Sequence, residues 1–202
     1  YGGVYGIRDR NDIQATLVSV GLSGHEKSMA RSLSAGWRQR LALGIALVHH
    51  PKLLFLDEPT SGVDPSARRT FWDLIYKLAE DGVTILVTTH YMDEAEYCGR
   101  VGMMRDGKLL AMDSPQNLKS RVVPGNVWEV FTSQLEDGLS ILPKVTGVLR
   151  VGLAGDHLRV VSEADLGIDE LESSFKLAGL INLRLEKDEP NLEDVFLVLA
   201  SG

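Results

Sequence analysis

The chain has 202 residues, of which 44% are hydrophobic and 24% charged, and its formal net charge is −7 at pH 7. That length buries one sizeable core and a smaller one, and the negative balance argues against a nucleic-acid binder. No apolar run approaches the roughly 18 residues of a membrane span and no signal peptide is apparent, while the lone Cys98 excludes an internal disulfide or a cysteine-based metal cluster and reads as an apolar filler on a helix.

In chain order, Asn11 can cap a helix that carries Ile13, Leu17 and Val20 on one side and ends at Gly21. Ser34 is placed to cap a second helix through about His49, stopped by Pro51. That helix is apolar nearly all round from Leu41 to Val48, which predicts burial, and His49 and His50 suit a helix C-terminus. Leu53 to Leu56 then form a continuous apolar run, the pattern of a parallel strand covered on both faces, and it ends abruptly in Asp57 and Glu58. Ala67, Phe71, Leu74, Ile75 and Leu78 follow helical spacing, and Asp81-Gly82 closes that helix. Val83 to Thr88 is the next strand, so a β-α-β unit delivers His90 to the sheet edge that holds Asp57 and Glu58. A helix from about Met92 to Cys98 and a hairpin turning at Asp106-Gly107 follow.

Ser120 to Gly125 reads as a linker. Beyond it the pattern predicts strand 127–132, helix 135–142, strand 148–153, a turn at Gly155-Asp156, strand 157–162, helix 169–178, strand 182–187 and helix 192–199. Strand, helix, hairpin, helix, strand is the split β-α-β order of a ferredoxin-like fold. The fold class is therefore α/β, with a parallel-sheet portion at 1–120 and a small α+β accessory or regulatory domain at 121–202. Phe196 and Leu199, with Leu192 and Val195, give the last helix an apolar face suited to packing within that domain.

Carboxylates at the carboxyl edge of a parallel strand lie where α/β sheets bind ligands. Neighbouring strand residues point to opposite sides, so Asp57 and Glu58 can take different jobs, one toward a hydrated metal and one toward a water nucleophile. A phosphate-cradling loop needs G-x-x-x-x-G-K-[ST], and the nearest approach, Gly102-Met103-Met104-Arg105-Asp106-Gly107-Lys108-Leu109, fails because Leu109 cannot bind Mg²⁺ and the segment reads as the hairpin.

Three stretches in order, Leu33-Ser34-Ala35-Gly36-Trp37, Leu53 to Pro65, and Val83 to His90, resemble the nucleotide-binding subunit of an ABC transporter. The resemblance covers about residues 1 to 120 and implies a P-loop NTPase-like fold with ATP and Mg²⁺ as cofactors. By position, Leu33 to Trp37 corresponds to the signature motif, Leu53 to Asp57 to the Walker B strand, Glu58 to the catalytic carboxylate, Ser61 to Pro65 to the D-loop and His90 to the switch histidine. The resemblance implies that Asp57 holds a Mg²⁺-bound water, Glu58 activates the attacking water and His90 contacts the γ-phosphate. Ser34 and the amides of Ala35 and Gly36 would meet the γ-phosphate of a nucleotide held by a second subunit, and Asp64 would couple the two sites. The commonest signature in the family is L-S-G-G-Q; Ala35 restricts φ, and Trp37 replaces an amide with an aromatic surface.

Pro190 to Phe196 resembles a closing motif of export-type members. The implied protein is the ATPase subunit of an exporter, a homodimer bound to an integral membrane permease at the cytoplasmic face of the membrane. Walker A and the Q-loop have no counterpart in these residues, so this chain alone is expected to be inactive. Two other readings are a non-hydrolytic scaffold and a small-molecule-sensing domain on a degenerate ATPase half.

Overall fold

Asp9, not Asn11, caps the first helix: its carboxylate accepts the Asn11 amide at 2.8 Å, and α1 runs Arg10–Ser19. The computed structural model describes Gly3, Gly6 and residues 9–201. They fall into two compact units, 1–90 and 91–202.

In the first unit α1 ends as the sequence requires, with Gly21 at φ 72° and the Leu22 amide reaching back to the Leu17 carbonyl at 2.7 Å. Its buried side differs from the predicted one. Thr16 and Val20 are buried, while Ile13 is exposed and Leu17 only half-buried. Thr16 can turn inward because its hydroxyl is satisfied by the Asp12 carbonyl at 2.9 Å. Ser34 caps α2 (Ala35–Leu47). Leu43, Gly44, Leu47 and Val48 of this segment are buried, whereas Leu41 and Ile45 are half-buried along a groove shared with Ile13 and Leu17 of α1.

Strands β1 (Leu53–Asp57) and β2 (Thr84–Thr88) pair in parallel, with Leu53 opposite Thr84 and Asp57 opposite Thr88. Helix α3 (Pro65–Glu80) connects them and buries Phe71, Trp72 and Ile75. The expectation that these strands are covered on both faces fails in the described structure: Phe55 is 67% exposed and Leu86 56%. Successive side chains alternate across a sheet, so the face carrying Leu54 is buried while the face carrying Leu53 and Phe55 has no second layer among the described residues.

The second unit begins with α4 (Met92–Ala95), shorter than the predicted 92–98, and the antiparallel hairpin β3 (Val101–Arg105) and β4 (Lys108–Asp113). Asp106 and Gly107 turn it at φ 50° and 75°, the left-handed pair that a two-residue hairpin loop requires. The segment read as a linker is structured. Ser114 caps α5 (Pro115–Val122), Val123 is buried, and β5 starts at Gly125.

The remaining elements are β5 (Gly125–Phe131), α6 (Leu135–Ile141), β6 (Val148–Ala154), β7 (His157–Glu163), α7 (Ile168–Leu177), β8 (Arg184–Asp188) and α8 (Leu192–Ser201). The four strands form one antiparallel sheet in the order β6-β7-β5-β8. This is the ferredoxin-like topology that the order of predicted elements implies. Trp128, Val130, Leu158, Val160, Leu171 and Phe175 build one core of this unit.

A second core joins Val127 and Val161 to Val101 and Met103 of the hairpin, Leu118 of α5, and Leu192 and Val195 of α8. Phe196 and Leu199 pack against that cluster, so the apolar face of α8 is covered within its own unit. The compact division thus falls at 90/91 and not at the composition change near 120. No helix among the described residues is long and apolar enough to cross a membrane.

Candidate functional site

Asp57 and Thr88 face each other at the carboxyl ends of β1 and β2. The Thr88 hydroxyl donates a hydrogen bond to Asp57 Oδ1. The next amide, that of Glu58, donates to the Thr88 carbonyl at 3.0 Å and also approaches Thr88 Oγ1 at 3.2 Å. Thr88 therefore ties both acids to β2, a part that sequence reasoning missed. The signal was available: parallel strands of equal length place the last residue of one beside the last residue of the other.

Glu58 does not owe its direction to strand alternation, contrary to the expectation. Strand β1 stops at Asp57, and Glu58 adopts φ 42°, the left-handed region that costs a non-glycine residue of order 1–3 kcal/mol. The backbone turns sharply there, and the Ser61 amide bonds back to the Glu58 carbonyl at 3.1 Å. The Glu58 carboxylate lies 3.3 Å from His90 Nδ1, with both side chains about half exposed. Asp57, Glu58 and His90 are thus brought together at one open edge, as predicted.

The second cluster is built on the start of α2. Ser34 Oγ accepts the Trp37 amide at 3.4 Å, and Ser34 is exposed while Ala35 and Gly36 are half-buried. A methyl on Gly36 would lie 2.9 Å from the Ala67 Cβ and 3.7 Å from Val63, so a glycine lets the start of α2 touch the start of α3. Asp64 is the cap of α3, accepting the Ala67 amide at 3.0 Å. The structure therefore brings Ser34-Ala35-Gly36 beside Val63 to Ala67. Trp37 does not stand as a bare aromatic surface: its ring contacts His25 at 4.5 Å between centroids, and the Arg40 guanidinium lies 4.9 Å over it.

The donor set suits a Mg²⁺ ion held mainly by phosphates and water. Mg²⁺ characteristically takes one or two carboxylates and keeps several waters. Asp57 is an exposed carboxylate oriented through one oxygen by Thr88, which leaves the other available. The described residues contain no group of three or more His, Cys, Asp or Glu able to cage a metal by themselves.

A parallel strand pair that presents paired acids and a histidine at its carboxyl edge, with a glycine-containing helix start in the same unit, places the chain among α/β proteins with a candidate site beyond the strand ends. A family model described as "AAA domain, putative AbiEii toxin, Type IV TA system" matches residues 22–92. The Escherichia coli K12 protein named "Probable multidrug ABC transporter ATP-binding protein YbhF" is 48% identical over 124 residues, covering 60% of this chain and 22% of that protein. Nod factor export ATP-binding protein I of Rhizobium sp. strain N33 is 34% identical over 203 residues, covering 98% of this chain and 64% of the relative. The linearmycin resistance ATP-binding protein LnrL of Bacillus subtilis 168 is 30% identical over 213 residues, covering 98% and 67%. Among solved structures, cbiO1 of Clostridium perfringens, part of the ABC transporter complex cbiONQ, superposes with a TM-score of 0.54 at 28% identity, over 59% of this chain and 50% of that one. The chain belongs to the family of ABC transporter ATP-binding proteins. It spans between 22% and 67% of the length of the three relatives above.

Proposed function

We propose that the complete subunit hydrolyses Mg-ATP at the Asp57–Glu58–His90 edge and couples the reaction to export through a membrane permease. The observation that carries this reading is the pair of acids held by Thr88, with His90 3.3 Å from Glu58, at the carboxyl ends of two parallel strands. Phosphoryl transfer asks a protein chiefly for positioning and charge stabilisation. Bound Mg²⁺ would supply the neutralisation of phosphate charge. Asp57 would help to hold the ion, and Glu58 would receive the proton of the attacking water or orient it. His90 holds Glu58 in place and reaches toward the γ-phosphate.

These 202 residues carry no G-x-x-x-x-G-K-[ST]. On this reading the phosphate cradle belongs to the remainder of the subunit. Ser34 with the Ala35 and Gly36 amides is assigned to the γ-phosphate of a nucleotide bound by a second copy, since first-turn amides and the helix dipole favour an anion. Asp64, beside that helix start, couples the two sites. The names of the relatives, which include multidrug transport, Nod factor export and linearmycin resistance, support the export direction. The subunit then works at the cytoplasmic face of the membrane, and the ferredoxin-like part serves as an accessory domain for partner contacts and regulation.

The test is Glu58→Gln in the complete subunit. The change keeps shape and removes the charge that accepts the proton, so turnover should fall by about two to four orders of magnitude while ATP binding persists. Turnover near that of the wild type would show that another residue activates the water.

A further inference from the structure

The first amides of a helix have no partner within it. At the start of α8, Asn191 Oδ1 accepts the Asp194 amide at 2.9 Å and Asp194 Oδ2 accepts the Asn191 amide at 2.9 Å, the reciprocal pattern of a capping box. The Leu192 amide lies between these two and turns elsewhere. It donates to Glu96 Oε1, 3.3 Å away, on a residue far earlier in the chain. The other oxygen, Glu96 Oε2, accepts Lys119 Nζ of α5 at 2.9 Å. One carboxylate therefore ties the end of α4 to the start of α8 and to α5.

Glu96 is the residue that ends α4, and α4 begins at Met92, just after His90. A helix of four residues has no stability of its own. It is held from outside: Ala95 lies in the core that Leu192 and Val195 of α8 fill, Met92 and Cys98 pack against that core, and Glu96 adds its bridge. On the other side of His90 the backbone is fixed by β2, which ends at Thr88. Between these two anchors His90 lies 3.3 Å from Glu58, with both side chains about half exposed. A pair so open to water holds little by itself. The backbone on either side must therefore aim the imidazole.

We propose that Glu96 is a positioning residue for His90, with the start of α8 as its anchor. The carboxylate pins the end of α4 to the Leu192 amide, and through the short stretch 91–95 it fixes the direction in which His90 leaves the strand. This inference rests on the hydrolysis reading above and deepens it, because it gives the segment Pro190 to Phe196 a task at that site. No contact across the 90/91 division is involved; the peptide bond between His90 and Tyr91 carries the constraint. A carboxylate suits the position, since it accepts from a helix-start amide and from an ammonium group at once, and negative charge is favoured beside a helix N-terminus. Loosening this tie frees His90 without touching the groups that would hold a nucleotide, so turnover suffers and binding does not.

The first measurement needs no nucleotide and uses the 202-residue chain. In Glu96→Ala, amide hydrogen exchange over residues 89–97 should be about tenfold faster or more while β1 and β2 keep wild-type rates. Glu96→Gln retains an oxygen for the Leu192 amide and should recover most of the protection. The second measurement uses the complete subunit, where Glu96→Ala should lower kcat about tenfold with KM for ATP little changed, and should cost nothing further once His90 is alanine. A glutamate that served stability alone would add its loss to that of His90→Ala. Circular dichroism confirms that each variant is folded. Unchanged exchange over 89–97, or additive losses in the double variant, would overturn the proposal. The two failures are distinguishable: wild-type turnover in Glu58→Gln removes the hydrolysis reading and leaves the exchange difference in place, whereas unchanged exchange removes this inference alone.

Discussion

Arg159 on β7 donates from Nε and Nη2 to the two carboxylate oxygens of Asp194 on α8, at 2.9 and 2.8 Å. The same guanidinium reaches Asp188 of β8 at 2.6 Å and the Glu189 carbonyl at 2.8 Å. Asp194 also receives the Asn191 amide at 2.9 Å, while the Asn191 side chain accepts the Asp194 amide, so the helix start and the sheet are locked by one group. Only 5% of the Asp194 side chain is exposed. Arg159→Met should therefore cost about 3–5 kcal/mol, because it strands a buried carboxylate without its cation. Urea unfolding followed by circular dichroism measures this, and a loss below about 1 kcal/mol would show that the pair adds little.

Acid should weaken the second unit. The Arg159 hydrogen bond holds the Asp188 carboxyl below its ordinary value, and the Asn117 side chain followed by the Ser114 amide does the same for Asp113. A carboxyl group depressed on folding contributes stability that is fully present above its unfolded value, about 3.9, and is lost as pH falls through the folded value. The urea midpoint should be flat from pH 7 to pH 5 and decline below about pH 4. Asp188→Asn should reduce the steepness of that decline, and an unchanged slope would exclude Asp188 as a contributor.

Thr88 should behave as a positioning residue. Thr88→Val keeps the β-branched shape but deletes the hydroxyl that orients Asp57 and approaches the Glu58 amide. In the complete subunit kcat should fall about 10- to 100-fold with KM for ATP changing less, the scale typical of groups that orient ligating side chains. Thr88→Ser should recover much of the loss, since it returns the hydroxyl. Failure of serine to rescue would mean that the valine acts through packing alone.

Gly36→Ala should be costly despite its small size. The added methyl would sit 2.9 Å from Ala67 Cβ, so the starts of α2 and α3 must separate, at a cost of about 1–3 kcal/mol. Ala67→Gly in the same chain should return most of the stability. A double-mutant cycle by urea unfolding gives the coupling directly, and additive effects would contradict the contact.

Much of this architecture could be read from local chemistry. The ferredoxin-like sheet was legible because short apolar-rich strands alternate with helical patterns and its hairpin is marked by Gly155-Asp156, as Asp106-Gly107 marks the separate hairpin of β3 and β4. The meeting of Asp57, Glu58 and His90 at one sheet edge was legible because polar residues end two apolar runs. What escaped depended on pairing between distant segments. Thr88 reads as an ordinary strand former until the register sets it opposite Asp57. The left-handed turn of Glu58 has no glycine to announce it. Helix α5 does carry a signal, Ser114 followed by Pro115 at the first helical position, whereas the Pro124-Gly125 pair just beyond it has the chemistry of a linker. The exposed Phe55 and Leu86 show that an apolar run indicates a tendency to be covered without saying which segment supplies the cover.

The position of α8 sets an order on how residues 91–202 come to be folded. Its Leu192 and Val195 fill the core beneath Val101, Met103 and Leu118, which precede them by most of that unit. During synthesis the hairpin and α5 emerge early yet keep an uncovered apolar side until the residues beyond 190 leave the ribosome. A chaperone acting on this subunit would meet that surface over the whole interval, and a ribosome stalled just short of α8 would release a chain whose sheet is formed but whose hairpin remains a sticky flank.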